Sequence, residues 1–409
     1  METMKRVLII AAASVITALS APAQDDADLA ELKQQLQALS AKIEQIEKQQ
    51  AEKIEDLEKR NREQIAQFKA DSTAEIEQIK SSTAEIPDWV RNVEFHGDLR
   101  YRYENSEVDN DNTKDRQRVR VRIGAYSTVN DSIDYGVRLS TGGDSATSGN
   151  ETLGDGFKKD DVDFDLYYVD IHPESFWGTH LLMGKMNKPW IKGSGLIWDG
   201  DVNPEGIALQ YDHQFGPVKL ISSAGSFVME EDKGDDVRLW SAQAAAETKI
   251  KSAKLLAGAS WYGIDNLGSG SLDTGFNNPD SDFNLVEGFG SIRSEVKDLP
   301  VKVHGQYVVN TEAEYDDDTA YLVGIVLGKA KIPGSWEAGY NWRDTGRDAV
   351  LDAFNDSDFG GGDTGSYGHQ LQAKYQISRN FQAGATYFNT VNGDGDDEDT
   401  LQLDLNFRF

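Results

Sequence analysis

The sequence predicts an all-β transmembrane barrel of 16 antiparallel strands preceded by an α-helical coiled-coil segment, and three observations predict it. From residue 89 onward apolar and polar side chains alternate with a period of two. Most of the alternating runs are 9–13 residues long. A tilted membrane strand needs about 9–11, whereas globular strands centre on about 5–6. Long and short connections also alternate along the series, which puts every long loop on one rim and tight turns on the other.

The chain opens on a predicted signal peptide, residues 1–23. Lys5 and Arg6 form a basic start, "VLIIAAASVITALS" is the apolar core, and "APA" before Gln24 is a small-residue cleavage site. Beyond it there is no run of about 18 apolar residues, so no transmembrane helix is expected.

Residues 24–87 are predicted to form a coiled-coil stalk in the periplasm. Neither glycine nor proline occurs over 25–86, and Pro87 follows. Leu29, Leu32, Leu36, Leu39, Ile43 and Ile46 alternate spacings of three and four, as a heptad seam requires. The pairs Ile43/Ile46, Ile54/Leu57, Ile65/Phe68 and Ile76/Ile79 then recur every 11 residues, which favours a straight or slightly right-handed supercoil. A single solvated helix is the alternative. "STAEI" occurs at 72–76 and again at 82–86, and the helix is expected to end near Pro87.

Residues 88–409 carry the barrel. "FHGDLRYRY" sets Phe95, Gly97, Leu99, Tyr101 and Tyr103 on one face, against His96, Asp98, Arg100 and Arg102. "LQLDLNFRF" sets Leu401, Leu403, Leu405, Phe407 and Phe409 against polar neighbours. Candidate strands fall at 95–103, 117–128, 132–140, 161–171, 179–187, 205–213, 217–228 and 236–248. They continue at 252–263, 283–295, 299–311, 319–330, 334–344, 366–377, 380–390 and 400–409. Trp89, Tyr103, Tyr126, Trp261, Tyr262, Trp336, Trp342 and Tyr387 lie near strand ends, as candidates for the aromatic girdles at the headgroups. Pairing of the last strand with the first would leave no open edge.

Five stretches, "FHGDLRYRY" (95–103), "RQRVRVRIG" (116–124), "YGVRLSTG" (135–142), "LLMGKMNKPW" (181–190) and "LNFRF" (405–409), carry a family resemblance. The segment 89–409 resembles the "putative porin" family of Gram-negative outer membranes, in which a short coiled coil precedes a general-diffusion-type barrel. The resemblance implies a passive channel, favours a trimer among homo-oligomers, and makes Phe409 the C-terminal signal for the outer-membrane assembly machinery. The anion-selective porins with a coiled-coil start are also similar. No phosphate-binding residue is carried over from them.

If the apolar face meets lipid, the other face lines the lumen. That reading makes Arg100, Arg102, Arg118, Arg120, Arg122 and Arg138 pore-lining, because an arginine facing mid-depth lipid costs about 2–4 kcal/mol. Arg116 is placed in the preceding loop or at the rim. Asp161, Asp163 and Asp165 alternate in the fourth strand, so the interior is not uniformly basic. The connection 188–204, "KPWIKGSGLIWDGDVNP", holds Trp190, Ile191, Leu196, Ile197 and Trp198. So apolar a loop, which also carries Lys188, Lys192, Asp199 and Asp201, is expected to fold inward as a constriction with Asp199 and Asp201 facing the arginines. Packing over a neighbouring rim or subunit is the alternative.

The chain carries 41 basic and 70 acidic residues, a net charge of −29, which argues against a nucleic-acid partner. Cysteine is absent, so disulfides and thiolate metal sites are excluded. Acidic stretches at 109–115, 316–318 and 394–399 fall in predicted loops and read as a solvated acidic surface, with divalent cations bridging to lipopolysaccharide as the alternative. None matches a calcium loop: from Asp109, Lys114 occupies the glycine position and Arg120 the final glutamate position. The histidines are His96, His172, His180, His213, His304 and His369, and no HExxH, GxSxG or P-loop occurs. No catalytic residue, cofactor or metal site is expected. A structural anchor, with the stalk reaching peptidoglycan, and a solute-specific anion channel remain as alternative functions.

Overall fold

The computed structural model describes residues 26–83 and 88–409, apart from 110, 112, 194, 232, 270, 271 and 273. The predicted signal peptide lies outside the described residues. Contacts divide the chain into two units, 1–86 and 87–409.

In the first unit, α1 runs over Asp26–Thr83. Glu, Lys, Gln, Ala and Leu dominate it, all good helix formers. Arg60–Asp56 at 2.9 Å and Arg62–Glu58 at 3.1 Å add ion pairs one turn apart. Its seam residues Leu39, Ile43, Ile46, Ile54, Leu57, Ile65, Phe68 and Ile76 are exposed. The side chains of Leu29, Leu32, Leu36 and Ile79 lie outside what is described. No described helix is long and apolar enough to cross a membrane.

The second unit begins with a short turn, α2 (Asp88–Arg91), whose Trp89 carbonyl accepts a bond from Ser127 Oγ at 2.6 Å. The strands follow in order: β1 (Glu94–Val108), β2 (Lys114–Asn130), β3 (Ile133–Ser140), β4 (Glu151–Thr152), β5 (Asp163–Ile171) and β6 (Thr179–Lys185). Next come β7 (Glu205–Phe215), β8 (Val218–Glu230), β9 (Val237–Ile250), β10 (Ala253–Asp265), β11 (Asn284–Val296) and β12 (Leu299–Asn310). The series ends with β13 (Thr319–Gly328), β14 (Trp336–Thr345), β15 (Ser366–Ser378), β16 (Phe381–Val391) and β17 (Asp397–Arg408). All neighbouring pairs are antiparallel, and β17 pairs with β1 from Asp98↔Arg408 to Val108↔Glu398. The sheet therefore closes, so that the backbone groups of a hydrocarbon-spanning wall are satisfied within it.

Sixteen strands are staves of the barrel, as the alternation predicts. The extra one, β4, is a two-residue piece pairing with Arg118 and Val119 of β2, beyond the end of β3. The fourth stave begins at Asp163, not Asp161, which lies exposed in the preceding loop. Arg116 lies inside β2, not before it.

Register carries the two faces around the ring. Leu99 stands opposite Val121 and Phe407, and Ile123 opposite Leu139. Leu99, Ile123, Leu139, Phe407, Phe95, Leu401, Leu403 and Leu405 are 37–68% exposed, and Val121 is half-buried. A belt of exposed large apolar side chains on that scale marks a lipid-facing surface. Gly97 is required on this face: a Cβ there would lie 2.3 Å from the Phe409 ring. Gly97 N donates to Phe409 O (3.0 Å) and Phe409 N returns to Gly97 O (3.1 Å), so the last residue is tied to β1. The buried apolar core lies on the other face, inside the ring.

Candidate functional site

The inner face of β1 and β2 concentrates positive charge. Arg100 stands directly opposite Arg120 and Arg102 opposite Arg118, pairings that repel unless anions intervene. Carboxylates of the wall supply part of the compensation. Arg102 Nε and Nη2 bind Asp404 at 2.8 and 3.0 Å, the two-pronged geometry guanidinium favours. Asp98 accepts from Arg120 Nη2 (3.1 Å) and Arg122 Nε (2.8 Å). Glu104, buried, pairs with Arg116 and lies 3.5 Å from Arg118 Nη1. Arg138 pairs with Asp165, which the bulge between Arg138 and Leu139 brings beside it.

Loops supply the rest. The β6–β7 connection, 186–204, reaches Arg120 and Arg122 with Asp201, whose Oδ1 lies 3.3 and 3.4 Å from their Nη1 atoms. The same loop contacts the far wall. Ile191 N donates to Gln243 Oε1 of β9 at 2.7 Å, and Trp190 meets Phe227 of β8 and Tyr262 of β10 edge-on. β10 lies nearly half-way round the closed sheet from β2. A segment touching both crosses the barrel interior. Its Trp190, Leu196, Ile197 and Trp198 are buried against Leu239, Tyr262, Leu285 and Val308 of the inner wall.

Sequence reasoning missed a second inward loop, 346–365, between β14 and β15. Asp358 binds Arg102 Nη1 through both oxygens, at 3.1 and 3.0 Å. Asp356 pairs with Arg343 of β14 at 2.9 Å, and the Arg343 guanidinium lies 4.0 Å over the buried Phe359 ring. Asp199 ties the two loops together: Asp199 N donates to Phe354 O (2.8 Å), and Ser357 N donates to Asp199 Oδ2 (3.0 Å). The signal was available, because "AVLDAF" in 349–354 is as apolar as the loop that was noticed. A third loop, 141–162, adds Asn150 Oδ1 to Arg100 Nη2 at 2.6 Å and Gly149 N to Asp201 Oδ2 at 3.3 Å.

The predicted residues therefore divide. Arg102, Arg118 and Arg120 are held in ion pairs and mostly buried. Lys188 staples its own loop, donating to the carbonyls of Asp199 (2.9 Å), Gly200 (3.3 Å) and Val202. Lys192 is exposed. A polar cavity of about 280 Å³ gathers Arg100, Arg120, Lys192, Asp199, Asp356 and Asp358, with both charge signs on its walls. A larger one of about 610 Å³ is bounded by Arg122, Asp163, Asp165, Trp190, Trp198 and Phe227.

The loop charges respond to this setting. Burial, and then the charge of Asp356, push Asp199 up to about 6. Burial also opposes ionisation of Asp201, but Arg120 and Arg122 outweigh it and hold its carboxyl below the usual range. Burial, and then Lys192, bring Lys188 down to about 8. For Asp199 the ionised form is the costly one, so acidification relieves that cost. Between about pH 7.5 and pH 5 the loop loses one negative charge while Lys188 stays positive. Ion preference is expected to move toward anions with a midpoint near pH 6, and Asp199→Asn to diminish that step, as read from reversal potentials.

A closed ring of antiparallel strands with an apolar outer belt and loops folded inside defines an outer-membrane channel. The chain belongs to the family described as "Putative porin", whose model matches residues 8–117, 107–282 and 280–409. Two solved structures share the fold. OprB of Pseudomonas putida, in a high-pH structure, has a TM-score of 0.54 at 12% identity, covering 78% of this chain and 95% of its own. OmpF of Salmonella typhi, in complex with daunomycin, has a TM-score of 0.51 at 10% identity, covering 78% and 98%. No curated protein matches the sequence. Family and fold together indicate an outer-membrane channel.

Proposed function

We propose that the barrel conducts ions and small hydrophilic solutes passively, through a lumen narrowed by 186–204 and lined on the opposite side by the arginines of β1–β3. The observation that carries this reading is the crossing of the interior by that loop, with Asp201 set on Arg120 and Arg122. Cations and carboxylates that line one polar cavity set a local field, which sorts solutes by charge and dipole. The partners are outer-membrane lipid and lipopolysaccharide on the belt and further copies of the chain, three in all. The exposed seam of α1 supports self-association, since Ile and Leu have nothing else to bury against within the helix. The stalk then lies in the periplasm, and Phe409 serves assembly.

The test is reversal potential across a bilayer under a salt gradient. Arg120→Glu with Arg122→Glu turns two positive charges into two negative ones and is expected to shift preference strongly toward cations. Arg100→Gln, which disturbs no ion pair among the described residues, is expected to shift it the same way by less. Unchanged preference in both variants would contradict the assignment.

A further inference from the structure

A second cluster of chemistry lies at the opposite rim, where the turns are short. Asp134 of β3 and Asp170 of β5 are direct cross-strand partners. Like charges directly opposite each other repel, so this pairing calls for a cation. Two imidazoles flank it. His172, just past the end of β5, places Nε2 3.1 Å from Asp134 Oδ2. His180 of β6 places Nδ1 2.8 Å from Asp170 Oδ2. The two rings stand 5.2 Å apart between centroids.

One ligand atom each from Asp134, Asp170 and His172 falls within 4.8 Å of the other two. Bound at about 2.0–2.2 Å in tetrahedral geometry, zinc ligands sit about 3.3 Å apart, so small side-chain rotations close this set. Asp134 Oδ1 is shielded from solvent and has no hydrogen-bond partner, an acceptor left over after the His172 contact. Backbone fixes the scaffold: His172 N donates to Ser132 O at 2.8 Å, joining the two turns that carry the cluster. None of these residues touches the arginines of β1–β2 or either inward loop among the bonds described above.

We propose that Asp134, Asp170 and His172 bind a divalent transition ion of the zinc class, with His180 orienting Asp170 or supplying a fourth ligand. Imidazole with carboxylate suits Zn²⁺, Ni²⁺ or Cu²⁺, whereas Ca²⁺ and Mg²⁺ take oxygen ligands. The ion cross-links β3 to β5 at the short-turn rim, and β6 as well where His180 supplies the fourth ligand. Sequence spacing hides the site, because its ligands come from positions 134, 170 and 172 and meet only through strand pairing.

The experiment is Zn²⁺ titration of the untagged full chain, folded in detergent and freed of metal, with Ca²⁺ in parallel. One saturable Zn²⁺ per barrel is expected, with no matching Ca²⁺ site. His172→Ala and Asp134→Asn are expected to abolish it, His180→Ala to weaken it about 10–100-fold, and His213→Ala to leave it intact. Should a variant fail to fold, the wild type still decides: Zn²⁺ is expected to protect His172 and His180, but not His213, from histidine-specific acylation mapped by mass spectrometry. Absence of a saturable site, equal binding by His172→Ala, or equal protection of all three histidines would overturn the proposal, leaving a hydrogen-bonded cluster only.

Discussion

Replacing Arg102 by alanine is expected to cost the folded barrel about 3–5 kcal/mol, the range seen when one partner of a buried ion pair is removed. The side chain is 5% exposed and serves three carboxylates: Asp404 from the neighbouring stave, Asp358 from an inward loop, and Glu104 at 3.9 Å. Without it, Asp358 and Asp404 lose their guanidinium partner. Gln402 Nε2 still reaches Asp358 at 2.9 Å but brings no charge. Arg102→Lys keeps the charge and loses the fork, so it is expected to fall between.

The pH dependence of this loss has a definite sign. Burial opposes ionisation of Asp358, but Arg102 outweighs it and holds the carboxyl below its ordinary value. A depressed carboxyl contributes stability that is present above its unfolded value and lost as pH falls through the folded one. The gap between wild type and Arg102→Ala is therefore widest near neutral pH and narrows in acid. Denaturant unfolding in detergent at about pH 7.5 and at about pH 2.5 measures both.

Trp198→Ala is expected to cost a similar amount, about 3–5 kcal/mol, by a different mechanism: an unfilled cavity in a packed core. Trp198 is 6% exposed and sits among Trp190, Tyr262 and Phe354, with ring centroids 5.4–6.0 Å away. It joins both inward loops to the apolar wall. Its loss is expected to let 186–204 leave that wall intermittently, so that single-channel records show excursions to larger conductance. Trp198→Phe is expected to retain most of the stability and steady current.

These two sites show what the sequence made legible. The staves were legible because burial alternates with the pleat, so "FHGDLRYRY" and "RQRVRVRIG" declare two faces without knowledge of their neighbours. The 188–204 loop stood out because two tryptophans and three large aliphatic residues do not suit an exposed turn. What pairs with each arginine was not legible. Asp358 meets Arg102 across 256 positions and Asp201 meets Arg120 across 81, contacts set by barrel closure and loop path, not by spacing. The arginine ladder read as a hydrated wall, whereas several of its members are buried ion-pair partners. Strand β4 escaped notice because two residues carry no period, and the Asp165 bulge because alternation persists on either side of it.

The measurement that tests the central claim most directly uses the absence of cysteine from the chain. Lys192 is exposed on 186–204 and borders the cavity shared with Arg100 and Asp358. A Lys192→Cys variant therefore carries a single thiol at the narrowing. Single-channel current is recorded before and after a bulky, charged thiol reagent is added, with modification verified by mass spectrometry. A stepwise fall in conductance to a new stable level is the predicted result; unchanged conductance in fully modified protein would contradict it.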